Sequence, residues 1–307
     1  MAINMTKTVF LDCDPGLDDA IALMVLASRP DVFSLRGITT AAGNQTCDKT
    51  YLNARRLAAY LGLDVPVARG AERPLRRTPL TAGDIHGEDG LAGMRVGNAF
   101  LPGDPRPAVE FLRDSILALN EPAVIIATGP LTNIAELFEH YPAVRNRIDH
   151  LTIMGGSLSG GNVTPYAEFN FCADPDAAQA VLSSGVPLNL LGLDVTHKAY
   201  LTDKEIQAFA GLGTKHGDMV GDLMKFYAES YKKTGLPGTP VHDASAVLYE
   251  AEPGLFPETG LIHIDVVTDG GRMGECIRRP GREPNVRFVT SVRREEFVKA
   301  LLCCCRE

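Results

Sequence analysis

Asp12, Asp14, Asp18 and Asp19 crowd into the stretch Val9–Ala20, which reads V-F-L-D-C-D-P-G-L-D-D-A. An apolar run delivers the first two acids, the turn pair Pro15-Gly16 separates them from the second two, and the uncharged helix formers Ala20 to Ala27 follow. Four carboxylates this close repel one another unless a cation compensates. Oxygen-only donors suit a hard ion such as Ca²⁺ or Mg²⁺. Further polar groups recur after apolar runs: Asn44 beyond Gly43, Thr128 to Asn133, Met154 to Asn170, Asp194 to His197, and the pair His242-Asp243. Glu168 and Asn170 flank Phe169, and alternation would turn both to one face. Tyr227 and Tyr231 stand one helical turn apart, spaced either to stack on a planar ring or to fill a core. His86 sits in a glycine-flanked loop, either over a substrate or simply at the surface.

These groups need elements that bring them together. Val9–Cys13, Phe33–Thr39, Ala123–Ala127, Leu151–Met154 and Leu188–Leu193 read as buried strands. Helical patterns separate them, to Ser28, over Thr46–Leu61, Ala108–Leu119, to about His140, and over Pro175–Ser183. Such alternation predicts an α/β fold, a mostly parallel, Rossmann-like central sheet with helices on both faces. Ligands bind such sheets at the C-terminal ends of the strands, where the clusters from Asp12 to Asp194 fall and which the helix start His242-Asp243 could join. Residues 202–233 read as helices only. Val241–Tyr249 is a further helix, Gly260–Val267 and Val286–Ser291 are late edge strands, and Arg293–Cys305 is a closing helix. The spacing predicts one domain over 1–307, with a Gly, Pro and Arg-rich excursion at 70–105 and a helical addition at 202–240 around the site.

The 307 residues are 45% hydrophobic and 22% charged, enough for a core that needs no disulfide staples. No apolar run reaches membrane-spanning length, the first residues lack an apolar leader, and a cytoplasmic address is expected. A net charge of −8 argues against nucleic-acid or anionic-membrane partners. The seven cysteines form no C-x-x-C pair and read as reduced thiols, with no function evident for the run Cys303 to Cys305.

The string D-x-D-P-G-x-D-D-A resembles the signature of the inosine–uridine preferring nucleoside hydrolases, the ribonucleoside hydrolase family. The resemblance continues through T-T-x-x-G-N-Q (Thr39 to Gln45), I-H-G-E-D-G (Ile85 to Gly90), T-G-P-L-T-N (Thr128 to Asn133), M-G-G (Met154 to Gly156), G-N-V-T-P-Y-A-E-F-N (Gly161 to Asn170) and V-H-D (Val241 to Asp243). It implies hydrolysis of the N-glycosidic bond of ribonucleosides, a Ca²⁺ cofactor, and a homodimer or homotetramer. Asp14, Asp19, Asp243 and the carbonyl of Thr128 would hold the ion, and Asp14 would also take a proton from the attacking water. Asp18, Asn44, Asn162, Glu168 and Asn170 would hold the ribose, with Met154 packed against it and Asp12 supporting from behind. Phe169, Tyr227 and Tyr231 would flank the base, His86 would border it, and His242 would be the acid toward it. The absence of Trp argues against a tryptophan-stacked purine site.

Two rivals remain at this level. Strand-D-x-D also opens phosphohydrolases of the haloacid dehalogenase type, whose later acidic motif Gly217 to Asp222 imitates, although Gly16 stands where Thr or Val is expected. The other is a non-catalytic ribonucleoside or Ca²⁺-binding protein.

Overall fold

The computed structural model describes residues 6–94 and 96–306; the leader reading of residues 1–5 lies outside them. In chain order the first half comprises β1 (Lys7–Cys13), α1 (Leu17–Ser28), β2 (Phe33–Thr40), α2 (Cys47–Leu61), β3 (Val67–Arg69), α3 (Gly83–His86) and β4 (Gly103–Asp104). Then come α4 (Ala108–Leu117), β5 (Ala123–Ala127), α5 (Thr132–His140), β6 (Ile148–Met154), α6 (Phe169–Ala173), α7 (Pro175–Leu182), β7 (Leu188–Leu191) and α8 (Leu193–Thr196). The remainder is β8 (Tyr200–Leu201), α9 (Asp203–Ala210), α10 (Lys215–Tyr231), β9 (Thr239–Pro240), α11 (His242–Ala251), β10 (Thr259–Ile262), β11 (Ile264–Val266), β12 (Cys276–Arg278), β13 (Val286–Val289) and α12 (Arg294–Cys304).

Nine strands form one sheet in the order β10-β13-β7-β6-β5-β1-β2-β3-β4. Every neighbouring pair is parallel except β10 with β13. Alternation along each strand feeds two cores. Val9 and Leu11 of β1 with Val124 and Ile126 of β5 face the core built with α1, α11 and α12, while Phe10, Ile125 and Ala127 face the core shared with α4, α5 and α7. Helix α1 is buried nearly all round, as its uncharged run requires. No described helix is long and apolar enough to cross a membrane.

Four expectations change. Val286–Ser291, expected at an edge, is β13, paired on both sides between β10 and β7. Gly260–Val267 is two strands, because the chain breaks at His263: β10 stays in the main sheet and β11 pairs with β12. The excursion at 70–105 returns to the sheet, its end forming edge strand β4 beside β3. Strand β7 stops at Leu191, and Asp194 lies on the single turn α8. The closing helix is seated to its end: Cys304 and Cys305 are buried, and Cys305 Sγ lies 3.6 Å from Met24 Sδ. All seven cysteines are free thiols.

Candidate active site

The sheet reverses direction between β1 and β5, since the chain builds outward from β1 through β4 and then from β5 the other way. The crevice at such a reversal is where a parallel sheet opens to ligand. Asp14 leaves β1 and Thr128 leaves β5 at this point.

Asp14 is fully buried. Its Oδ2 accepts a hydrogen bond from Asn44 N at 2.6 Å, while Oδ1 is buried without a partner. Gly43 and Gly129 close on it from two loops: a Cβ at Gly43 would lie 2.0 Å from Oδ2, and one at Gly129 would lie 2.7 Å from Oδ1. Asp19 caps its own helix, Oδ2 accepting from Gly16 N at 3.0 Å and from Asn44 Nδ2 at 3.1 Å, and Oδ1 accepting from Thr128 Oγ1 at 2.8 Å. Asp18, Asp19 and Asp243 each bring a carboxylate oxygen within 4.8 Å of the others. Asp18, expected on the ribose side only, thus stands with Asp19 and Asp243 as a third close acid, with Asp14 alongside. Asp12 faces away: its Oδ1 accepts from Thr39 Oγ1 at 2.5 Å and Asn133 Nδ2 at 2.7 Å, tying β1 to β2 and α5.

Burial and mutual repulsion set the electrostatics. Desolvation, then the Asp19 charge, push Asp18 up to about 7. Desolvation followed by Asp18 and Asp19 pushes Asp243 well above the carboxylate range, and desolvation followed by Asp19 does the same to Asp14. The N-termini of α1 and α11 point partial positive charge at the cluster, about half a charge each, too little to balance four acids. The donor set therefore fits a hard divalent cation: oxygen donors only, three acids converging, and an unpartnered buried Asp14 Oδ1 beside them. The carbonyl of Thr128 accepts from Asn170 Nδ2 at 2.8 Å and keeps its second lone pair free.

These groups floor a cavity of about 180 Å³ whose lining includes Asp18, Asn44, Thr128, Met154, Glu168, Asn170 and Asp243. His86, Phe169, Tyr227, Tyr231 and His242 supply the aromatic part of the same lining. His242 is buried with both ring nitrogens engaged, Nδ1 with Thr196 Oγ1 at 2.8 Å and Nε2 with Tyr231 OH at 2.7 Å. Desolvation, with His197 and His86 nearby, lowers its pKa to about 3, so at neutral pH it is an uncharged imidazole. Both ring nitrogens are thus taken up within the protein, Nε2 by a tyrosine that also lines the cavity. His86 is not a surface residue: it is buried, its Nδ1 accepts from Leu17 N at 3.1 Å, and burial holds it at about 3.

Asn162 and Glu168 differ from expectation in form. Glu168 caps α6 rather than continuing a strand, accepting from Asn170 N, Phe171 N and Gly156 N, so the alternation argument fails although both residues still line the cavity. Asn162 Oδ1 accepts from Phe169 N at 3.0 Å and closes the exposed loop over the site. Asp194 turns from the cavity to hold Ser157 Oγ and Leu158 N. Asp218 and Asp222 of the phosphohydrolase-like string lie on α10 along a separate groove beside Tyr60. Sequence reasoning missed Ser230 and Thr234 in the lining, although they continue the 227, 231 stripe at helical spacing. Thr196 lay inside the Asp194 to His197 cluster, but nothing in the sequence set it apart from its neighbours there.

The profile of the inosine–uridine preferring nucleoside hydrolases matches residues 9–299. The chain is 37% identical over 304 residues to the pyrimidine-specific ribonucleoside hydrolase RihA of Enterobacter sp. (strain 638), covering 97% of each. Among solved structures it resembles a purine-preferring ribonucleoside hydrolase from Gardnerella vaginalis, at 30% identity, TM-score 0.91 and 98% coverage of each chain. A plant nucleoside hydrolase, PpNRh1, superposes with TM-score 0.92 at 26% identity, covering 99% of this chain and 100% of that one. Fold and site thus define an N-glycosidase. The chain belongs to the inosine–uridine preferring nucleoside hydrolase family.

Proposed function

We propose that this enzyme hydrolyses ribonucleosides to free base and ribose, with uridine and other pyrimidine ribonucleosides among its preferred substrates, and that its ion is Ca²⁺. The observation that carries the reading is the cavity's mixed lining, buried acids and amides together with aromatic and imidazole groups. Similarity to a pyrimidine-specific relative supports the substrate preference. Asp14, Asp19, Asp243 and the Thr128 carbonyl would hold the ion, with Asp18 close enough to share it. When bound, the cation supplies the charge that keeps these acids ionised and lowers the pKa of water at the site.

The chain's own groups do the rest. Asp14, through its unpartnered Oδ1, takes the proton of the water that attacks C1′. Asn44, Asn162, Glu168 and Asn170 orient the ribose hydroxyls, and Met154 packs against the ring. Breaking the N-glycosidic bond places oxocarbenium character on the sugar, and the fixed acids stabilise that charge. Tyr227, Tyr231 and Phe169 hold the base flat, with His86 bordering it, and Tyr231 backed by His242 hydrogen-bonds it as it leaves. The family resemblance also supports a cytoplasmic homodimer or homotetramer, which light scattering on the purified protein checks.

The test is a panel of cytidine, uridine, inosine, adenosine and guanosine with base and ribose measured as products. Binding without release of base would sink the reading. 2′-Deoxyuridine is expected to lose about 10⁴-fold in kcat/KM, because buried polar groups built for the 2′-hydroxyl are left unpaired.

A further inference from the structure

The hydrogen-bond chain Thr196–His242–Tyr231 ends inside the protein at one end and in the cavity at the other. Thr196 Oγ1 is fully buried on α8, and among the described residues its only hydrogen-bond partner is His242 Nδ1, at 2.8 Å. Tyr231 OH lies 2.7 Å from Nε2 and 3.4 Å from Tyr227 OH, and both tyrosines line the cavity. The chain of donors can run in two directions. If Nδ1–H donates to Thr196, then Tyr231 donates to Nε2 and the buried Thr196 hydroxyl hydrogen has no acceptor. If Thr196 donates to Nδ1, then Nε2–H donates to the Tyr231 oxygen, and the hydrogen left over is that of Tyr231, at the cavity. The second arrangement leaves no buried donor unsatisfied, and an unmade buried donor costs its whole desolvation.

We infer that Thr196 is a positioning residue: its hydroxyl fixes His242 with hydrogen on Nε2 and so turns the Tyr231 hydroxyl hydrogen toward an acceptor on the departing base. This rests on the ribonucleoside-hydrolase reading above. Thr196 touches no substrate; it sets which way the hydroxyl that does touch it is aimed.

Full-length wild type, Thr196→Val and Thr196→Ser, with Ca²⁺ present, are compared on uridine and on 4-nitrophenyl β-riboside, whose phenolate leaves without a hydrogen-bond donor. Thr196→Val is expected to lower kcat on uridine by about 10²-fold with KM within about twofold, and to leave the nitrophenyl riboside rate unchanged. Thr196→Ser, which keeps the hydroxyl, restores the uridine rate. Equal losses on both substrates, or no loss on either, would overturn the inference. Nitrogen-15 NMR of the wild-type imidazole gives a second reading that needs no turnover: Nε2–H supports the arrangement and Nδ1–H overturns it. Should wild type cleave neither riboside, the hydrolase reading fails, and the spectrum still decides the orientation.

Discussion

At Asp14 two glycines do what no side chain could. Gly43 and Gly129 let two loops close against the carboxylate, which then has one oxygen tied to Asn44 N and the other free. Asp14→Asn preserves the shape and the Asn44 contact, so thermal unfolding should change little while kcat on uridine falls by about 10²–10⁴-fold. A kcat within a few-fold of wild type would remove Asp14 as the base. The acids were legible in the sequence because four of the six lie within eight residues, inside one signature string. The division among them was not. Asp18 and Asp19 are adjacent in sequence, yet only the start of α1 determines that both reach Asp243. Nor was the state of His242, because its neutral ring follows from burial and from His197, just past α8, and His86, at the end of α3.

Helix α10 carries the two tyrosines of the cavity, and its seat depends on a glycine. A Cβ at Gly221 would lie 2.6 Å from Ala210 Cβ and 2.8 Å from Ala210 Cα, so α9 and α10 cross at backbone distance. Gly221→Val should cost about 1–3 kcal/mol by overpacking. Because the helix moves as a body, it should also raise KM for uridine more than it lowers kcat. A lower melting temperature with unchanged KM would place the crossing outside the site's support. Helix α11 is fixed at both ends. His242 and Asp243 open it at the cavity, and Glu250 near its other end bonds Lys7 Nζ of β1 and His150 Nε2 of β6. Long periodic elements such as α2 and α11 were readable to within a residue or two. Failures came where one side chain redirects the backbone, as Glu168 does by capping α6, or where a short apolar run changes sheets, as at His263.

For the molecule as a whole, the buried acids set a pH dependence. Desolvation raises Asp12 to about 6 and Asp18 and Glu168 to about 7. A folded-state pKa above the unfolded value means the native protein holds the proton more tightly. For Asp18 the penalty is absent below 3.8, the ordinary Asp value, and complete above about 7. Chelated protein should therefore melt at progressively lower temperature as pH rises from 5 to about 7.5, and added Ca²⁺ should restore the loss. A melting temperature indifferent to chelator at pH 7.5 would argue against a cation among these acids. The α/β class was legible from alternation alone, and so was an edge place for the Gly260 run, whereas the edge position of β4 and the inner position of β13 were not, since strands this short carry no pattern of their own.

The strand order has one more consequence. With β1 to β4 on one side of the reversal and β5 onward on the other, the site is also the seam between an early and a late portion of the chain. Whatever binds there grips both and lends them a common melting point. Calorimetry should give one sharp endotherm with Ca²⁺ bound and a broader or divided one after chelation, as each portion comes apart on its own terms.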